Sequence, residues 1–263
     1  MVVRVEKEGM VWTVIHSHPQ TRNAMDPASA VALHDAFLSF EEDDCAHVAV
    51  FWGEGGAFCA GWDLKHASVL SGADALDPFD FPQAGEPPMG AMGPSRLELS
   101  KPVIAAVGGP AVAGGMELAI WADIRVMEET AFMGVYCRRW GIPLIDGGTV
   151  RLPRLVGEGR AMDLILTGRR VDADEAMRIG LCEYVVPKGR ARAKAEALAQ
   201  HIARFPQSCL RSDRRSAKAQ HGLNQREAMR QEWWNSKLEV TIGVEGAIQF
   251  AEGKGRGGNF DDL

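Results

Sequence analysis

The sequence predicts an α/β fold followed by a helical C-terminal region. Short apolar runs typical of strands alternate with helical patterns over the first two thirds of the chain, and helical patterns alone follow from about residue 189. The composition is that of a globular chain with a substantial core, since 46% of the 263 residues are hydrophobic and 24% are charged. We therefore expect a core over residues 1–188 that holds the functional site and a helical region over residues 189–263.

The first hundred residues predict a hairpin, a capped helix and a short strand. Two runs rich in β-branched residues, 2–5 and 10–16, flank a Glu-Gly pair, as expected of a hairpin. Asp26 and Pro27 predict a helix start, because Asp is a good N-cap residue and Pro fits the first turn. We expect a strand at 47–52, a short helix at 63–70 and, where periodicity is lost, a long loop at 71–95 that forms a pocket wall.

The later elements follow from the spacing of their apolar residues. We expect strands at 102–107, 124–127 and 182–186, with helices at 114–122, 148–156, 158–167 and 172–180. Four further helices are expected, at 189–204, 207–220, 224–238 and 241–252.

Charge and cysteine content exclude several classes of protein. A formal net charge of −6 argues against a general nucleic-acid or anionic-membrane surface. The five cysteines form no C-x-x-C pair and are odd in number, which favours reduced thiols over a disulfide framework. His16 and His18 lack a third ligand at a recognisable spacing, so no metal site is predicted. The N-terminus lacks the apolar run of a signal peptide, and we expect a cytoplasmic protein.

Two glycine-containing turns, at 57–64 and 102–118, carry the strongest chemical signal. In the second turn a buried strand leads through small residues to a helix that begins at Gly114-Gly115. Glycine lets a ligand approach the backbone, and the first N–H groups of a helix lack intrahelical partners. Such groups suit a developing enolate oxygen. The alternative is that the glycine pair serves only close packing of helix against strand.

Together these segments resemble the enoyl-CoA hydratase/isomerase (crotonase) superfamily. The family carries an A-F-C/S-A-G-x-D-L segment, matched at 57–64, and a K-P-V-I-A-A-V-x-G-x-A-x-G-G-G-x-E-L segment, matched at 101–118. The R-N-A-M stretch at 22–25, the G-T-V-R-L-P-R-L-V-G stretch at 148–157 and the tail at 245–250 match further family motifs. The resemblance therefore extends over essentially the whole chain.

The resemblance implies a fold, an assembly and a set of binding residues. The fold is a right-handed spiral of strand–strand–helix repeats with a C-terminal helical trimerisation module. The assembly is a homotrimer or a dimer of trimers, and coenzyme A enters as part of the substrate rather than as a permanently bound cofactor. The oxyanion hole would be formed by the backbone N–H groups of Trp62 and Gly114. The residues implied to bind CoA are Arg22, Ala24, Ala60, Leu64 and Lys254.

The resemblance also identifies candidate acid–base residues. Glu117 matches the first of the two catalytic glutamates of the family's hydratases, although a glutamate in a first helical turn also serves the helix dipole. The position of the second glutamate holds Cys137, and a carboxylate returns at Asp146. Asp146 is therefore either the second acid–base group, or even a nucleophile, or an N-cap of the next helix.

We accordingly expect an enzyme that stabilises the enolate of an acyl-CoA thioester, with hydration of trans-2-enoyl-CoA as the first hypothesis. An enoyl-CoA or dienoyl-CoA isomerase, or another crotonase-type lyase or hydrolase, is the alternative if Glu117 works alone. A non-catalytic relative that binds CoA or RNA is the third possibility, and the lack of a strong basic face disfavours RNA. We expect no nucleic-acid or membrane partner.

Overall fold

The structure is a computed structural model that describes residues 2–70, 73–255 and 257. Ser71 and Gly72 of the expected loop, and the basic Arg256 near the C-terminus, lie outside the described residues. The chain divides into two compact units, residues 1–200 and residues 201–263.

The first unit is built on a six-stranded sheet in the order β1-β2-β3-β4-β6-β9. Strands β1 and β2 form the expected antiparallel hairpin, and the other pairs in this sheet are parallel. The strands are β1 Val3–Glu8, β2 Val11–His16, β3 Val48–Gly53, β4 Val103–Val107, β6 Ile124–Glu128 and β9 Tyr184–Val186. The central strand β4 is buried at all five positions, which explains its continuous apolar sequence.

A second, three-stranded sheet was not predicted from the sequence. Its strands are β5 Ala111–Val112, β7 Phe132–Gly134 and β8 Val171–Asp172, in the order β5-β7-β8. Each has only two or three residues, so no alternation of apolar and polar residues could reveal it. This small sheet directs the chain from β5 into the glycine pair that begins the next helix.

Helices alternate with the strands, as the fold class predicts. They are α1 Pro27–Glu42, α2 Leu64–Ala67, α3 Gly114–Trp121, α4 Gly148–Val156, α5 Glu158–Thr167, α6 Ala173–Ile179 and α7 Ala191–Ala203. The Asp26 carboxylate caps α1 by accepting the Ser29 N–H at 2.7 Å, as expected. The Phe37 ring of α1 meets the Phe51 ring of β3 edge-on, with centroids 5.6 Å apart. The α/β fold class is confirmed.

The second unit contains α8 Gln207–Ala219 and one long helix, α9 Gln225–Ala251. The prediction of two helices, at 224–238 and 241–252, is wrong. Neither Glu239 nor Val240 interrupts the intrahelical hydrogen bonds, and α9 runs through both. Its start is fixed by a capping box, in which the Asn224 side chain accepts the Glu227 N–H at 3.0 Å and the Glu227 carboxylate accepts the Asn224 N–H.

Candidate active site

The two glycine-containing turns lie against each other at the carboxyl end of the main sheet. The Phe58 and Cys59 N–H groups both donate to the Pro110 carbonyl, at 3.0 and 3.1 Å. The Val112 N–H returns a hydrogen bond to the Cys59 carbonyl at 3.0 Å. These bonds bring the Gly61-Trp62 peptide next to the start of α3.

At this junction, the two backbone N–H groups expected to form the oxyanion hole have no acceptor among the residues that the structure describes. They belong to Trp62 and to Gly114, the first residue of α3. Met25 bonds to the residues on either side of Trp62 and leaves the Trp62 N–H unused. A side chain at Gly114 would place Cβ 2.4 Å from the Met92 Sδ, so only glycine fits there without a shift of Met92. Both residues line one pocket.

The pocket encloses about 550 Å³, part of which is open to solvent. Most of its wall is apolar, and the residues that give it this character are Leu64, Met92, Trp140, Ile142, Pro143 and Ile145. Four polar or ionisable side chains also line it, namely those of Glu117, Tyr136, Cys137 and Asp146. An apolar cleft with a few convergent polar groups is typical of a small-molecule site.

Glu117 lies on the first turn of α3 and is 3% exposed. Its Oε1 accepts the backbone N–H groups of Asp146 at 2.9 Å and Gly148 at 2.8 Å, and no described residue donates to Oε2. Burial, and then the nearby Asp146 carboxylate, raise the pKa of Glu117 to about 7. A carboxyl group with this pKa can take up or release a proton near neutral pH.

Asp146 is 2% exposed and lines the pocket. Its Oδ1 accepts hydrogen bonds from the Met92 N–H at 3.1 Å and from the Ser95 hydroxyl. Burial raises the pKa of Asp146 above its ordinary value, and these two hydrogen bonds oppose the rise. The interpretation of Asp146 as an N-cap is wrong, because Gly147 occupies the N-cap position of α4 and no side chain caps that helix.

Cys137 lies in the 3₁₀ turn Tyr136–Trp140 and is 7% exposed. Burial and the neighbouring Glu117 carboxylate raise the pKa of this thiol above its ordinary value. A thiol that stays protonated is a poor nucleophile, so the environment of Cys137 favours an inert side chain.

The residues expected to bind CoA are distributed over both units. Ala60 and Leu64 line the pocket, and the Ala60 N–H donates to the Arg22 carbonyl at 3.1 Å. Arg22 is exposed and Ala24 is partly exposed, and both lie outside the pocket lining. Lys254 is an exposed residue of the second unit.

Sequence reasoning missed the residues that hold Asp146 in place. Met92 and Ser95 are both buried, and the Arg151 guanidinium donates to the Asp146 and Ser95 carbonyls at 2.9 and 2.8 Å. Met92 and Ser95 belong to the stretch expected to form a pocket wall, but no periodicity or motif there distinguishes them from their neighbours. Within the described residues, no three His, Cys, Asp or Glu side chains are grouped so as to hold a metal ion.

No helix formed by the described part of the chain is long and apolar enough to span a membrane.

Comparisons with known proteins show which family the chain resembles over most of its length. Residues 6–256 match the family model described as enoyl-CoA hydratase/isomerase. The chain is 34% identical to the enoyl-CoA hydratase EchA19 of Mycobacterium tuberculosis, over 92% of this chain and 86% of that protein. It is 36% identical to a carnitinyl-CoA dehydratase of Salmonella typhi, over 76% of this chain and 74% of that protein.

Solved structures show the same fold. An enoyl-CoA hydratase from Bacillus anthracis superposes with a TM-score of 0.85 at 28% identity, covering 96% of both chains. EchA1 from Mycobacterium marinum superposes with a TM-score of 0.84 at 28% identity, covering 95% of this chain and 96% of the other. With its crotonase fold, the chain therefore belongs to the enoyl-CoA hydratase/isomerase family of enzymes.

Proposed function

We propose that the protein adds water reversibly to the double bond of a trans-2-enoyl-CoA thioester. The observation that carries this proposal is the presence, in one pocket, of two buried carboxyl groups, Glu117 and Asp146, and two unused N–H donors. The names of the relatives support it, since one is a hydratase and another a dehydratase of CoA thioesters.

The Trp62 and Gly114 N–H groups bind the thioester oxygen. When water attacks the β-carbon, negative charge develops on this oxygen as the enolate forms. Preorganised donors aimed at that charge stabilise the transition state more than the ground state, and removal of one typically lowers the rate roughly 10²–10³-fold. The Gly114 donor also lies at the positive end of the α3 dipole.

The two carboxyl groups divide the proton transfers of hydration. The Asp146 carboxylate accepts a proton from the attacking water, whose hydroxyl bonds to the β-carbon. The protonated Glu117 delivers a proton to the α-carbon, and its pKa of about 7 makes this form available near neutral pH. One water is consumed for each product molecule, and proton exchange between the carboxyl groups and solvent restores the starting state.

Double-bond isomerisation is a second candidate. The observation in its favour is Cys137, which stands where the resemblance places a second glutamate and holds no ionised group. Glu117 alone could then remove a proton from one carbon and return it to another, and no water would be added.

We assign the CoA-binding strip to Arg22, Ala24, Ala60 and Leu64, with no permanently bound cofactor. Lys254 is a separate candidate for binding the adenine end of CoA. The C-terminal helices would form a homotrimer or a dimer of trimers in the cytoplasm. This assembly is supported by the large apolar side chains that α9 exposes in the single chain, among them Trp233, Trp234 and Leu238.

Mass spectrometry of acyl-CoA products tests the proposal. The protein is incubated with crotonyl-CoA, a 3-enoyl-CoA and a 2,4-dienoyl-CoA. Gain of one water by crotonyl-CoA, lost in Glu117→Gln and Asp146→Asn but retained in Cys137→Ser, is the expected result. If the double bond instead moves without a change of mass, and Asp146→Asn retains this activity, the protein is an isomerase.

A further inference from the structure

We propose that Ser95 is the positioning residue of the hydration reaction, because its hydroxyl holds Asp146 in the pocket as an oriented carboxylate. This inference rests on the proposed function, since it assigns to Ser95 an effect exerted through Asp146. Ser95 itself lies behind the pocket wall and does not line the pocket.

The two oxygens of the Asp146 carboxylate differ in the hydrogen bonds that they accept. The Ser95 hydroxyl and the Met92 backbone N–H both donate to Oδ1. No described residue donates to Oδ2. One carboxylate oxygen is therefore fixed by the protein while the other stays available to water or substrate, which is the arrangement that a general base requires.

The protein surrounds this pair with rigid contacts. Ser95 is fully buried in the 3₁₀ turn Pro94–Arg96. The Arg151 guanidinium donates to the backbone carbonyls of both Ser95 and Asp146, at 2.8 and 2.9 Å, and so ties the two segments together. On the opposite side, a Cβ at Gly90 would lie 2.0 Å from the Ser95 Oγ and 2.4 Å from the Asp146 Oδ1, so this position has no room for a side chain.

The surroundings of Asp146 have opposing effects on its ionisation. Arg96 and Arg151 favour its ionised form, as do the hydrogen bonds from Ser95 and Met92. Burial disfavours that form, and the Asp146 carboxylate in turn disfavours ionisation of Glu117. The buried Cys59 and Cys137 thiols have raised pKa values and carry no charge at neutral pH. The Ser95 hydroxyl is the strongest of the groups that keep Asp146 ionised.

The test compares Ser95→Ala with Ser95→Thr in the crotonyl-CoA hydration assay. The matched control is Thr13→Val, which removes another buried hydroxyl that donates to a carboxylate, that of Glu196 at 2.9 Å, outside the pocket. Ser95→Ala should lower kcat roughly 10- to 100-fold and change KM little, since a hydrogen bond to a charged group is lost behind the base. The acidic limb of its kcat/KM profile should move up by about one to two pH units.

Ser95→Thr should restore most of the rate and the wild-type pH profile, because it keeps the hydroxyl. Thr13→Val should lower Tm comparably to Ser95→Ala but leave kcat and the pH profile unchanged. The inference would be overturned if Ser95→Ala had the wild-type kcat and pH profile. It would also be overturned if the loss of kcat in Ser95→Ala matched its loss of Tm and Thr13→Val lost as much kcat. If Ser95→Thr does not fold, the pH profile of Ser95→Ala alone decides. A wild-type protein that hydrates no enoyl-CoA would overturn the proposed function instead, and Ser95 with it.

Discussion

Replacing Glu117 by Gln should abolish activity and at the same time stabilise the protein at alkaline pH. The ordinary pKa of a glutamate is 4.5, and in the fold that of Glu117 rises to about 7, chiefly through burial. This difference corresponds to roughly 3 kcal/mol by which the ionised side chain is disfavoured in the folded state. Glutamine keeps a carbonyl oxygen that accepts the Asp146 and Gly148 N–H groups, and it carries no charge.

Proton linkage sets the sign of the stability change in Glu117→Gln and the pH range over which it appears. Because the folded-state pKa is raised, the folded state binds more protons than the unfolded state between pH 4.5 and about 7, and wild-type stability falls as pH rises through this range. Glu117→Gln should therefore raise the free energy of unfolding by up to about 3 kcal/mol at pH 8. The gain should shrink to about 1 kcal/mol or less at pH 5, where the wild-type carboxyl is protonated when folded.

Chemical denaturation of both proteins at pH 5 and pH 8, at one protein concentration, measures this difference. The control is Glu54→Gln, because its hydrogen bond with Arg4 lowers the pKa of Glu54 to about 2 and the same substitution should destabilise the protein at pH 8. Loss of stability in Glu117→Gln by the same amount at both pH values would refute the raised pKa. Retention of hydration by this variant would refute the acid–base role.

Three further predictions concern the oxyanion turn, a helix cap and a thiol. Gly114→Ala keeps the backbone N–H but should displace the adjacent Met92 side chain and lower kcat by up to about 10²-fold in the hydration assay. Gly159→Ala in α5, where a Cβ meets open space, should leave kcat unchanged. Equal rates in both variants would contradict the close packing at Gly114. Asp26→Ala should lower the free energy of unfolding by about 1 kcal/mol through loss of the α1 cap, and an unchanged denaturation midpoint would show that the cap adds nothing. Cys137 should resist iodoacetamide at pH 7.5 in the folded protein and react after unfolding, and rapid labelling seen by peptide mass spectrometry would mean an ionised thiol.

Local sequence was sufficient to predict those features that short-range geometry controls. Asp26 before Pro27 marks the start of α1, because an N-cap interacts only with the first turn of its own helix. Glu117 was placed correctly on the first turn of α3, three residues after Gly114, because residues so close in sequence within one helix have a fixed relation. The central strands are buried on both faces and were recognised by their unbroken apolar runs.

Elements whose stability comes from distant partners were not predictable. Strands β5, β7 and β8 are too short to show a pattern and exist because they pair with one another. The break expected within α9 has no counterpart, because weak helix formers inside a long helix are tolerated where no residue stops the hydrogen bonding.

Residues close together in the chain were enough to show that two glycine turns precede helices and that an acidic residue follows the second turn. That Asp146 lines the pocket and does not cap α4 depends on long-range contacts, because Ser95, 51 residues earlier in the chain, donates a hydrogen bond to its carboxylate. Burial in the folded chain, and then the nearby Asp146 carboxylate, raise the pKa of Glu117, whose immediate sequence neighbours carry no charge. Both effects depend on contacts between segments distant in sequence, and those contacts form only when the chain folds.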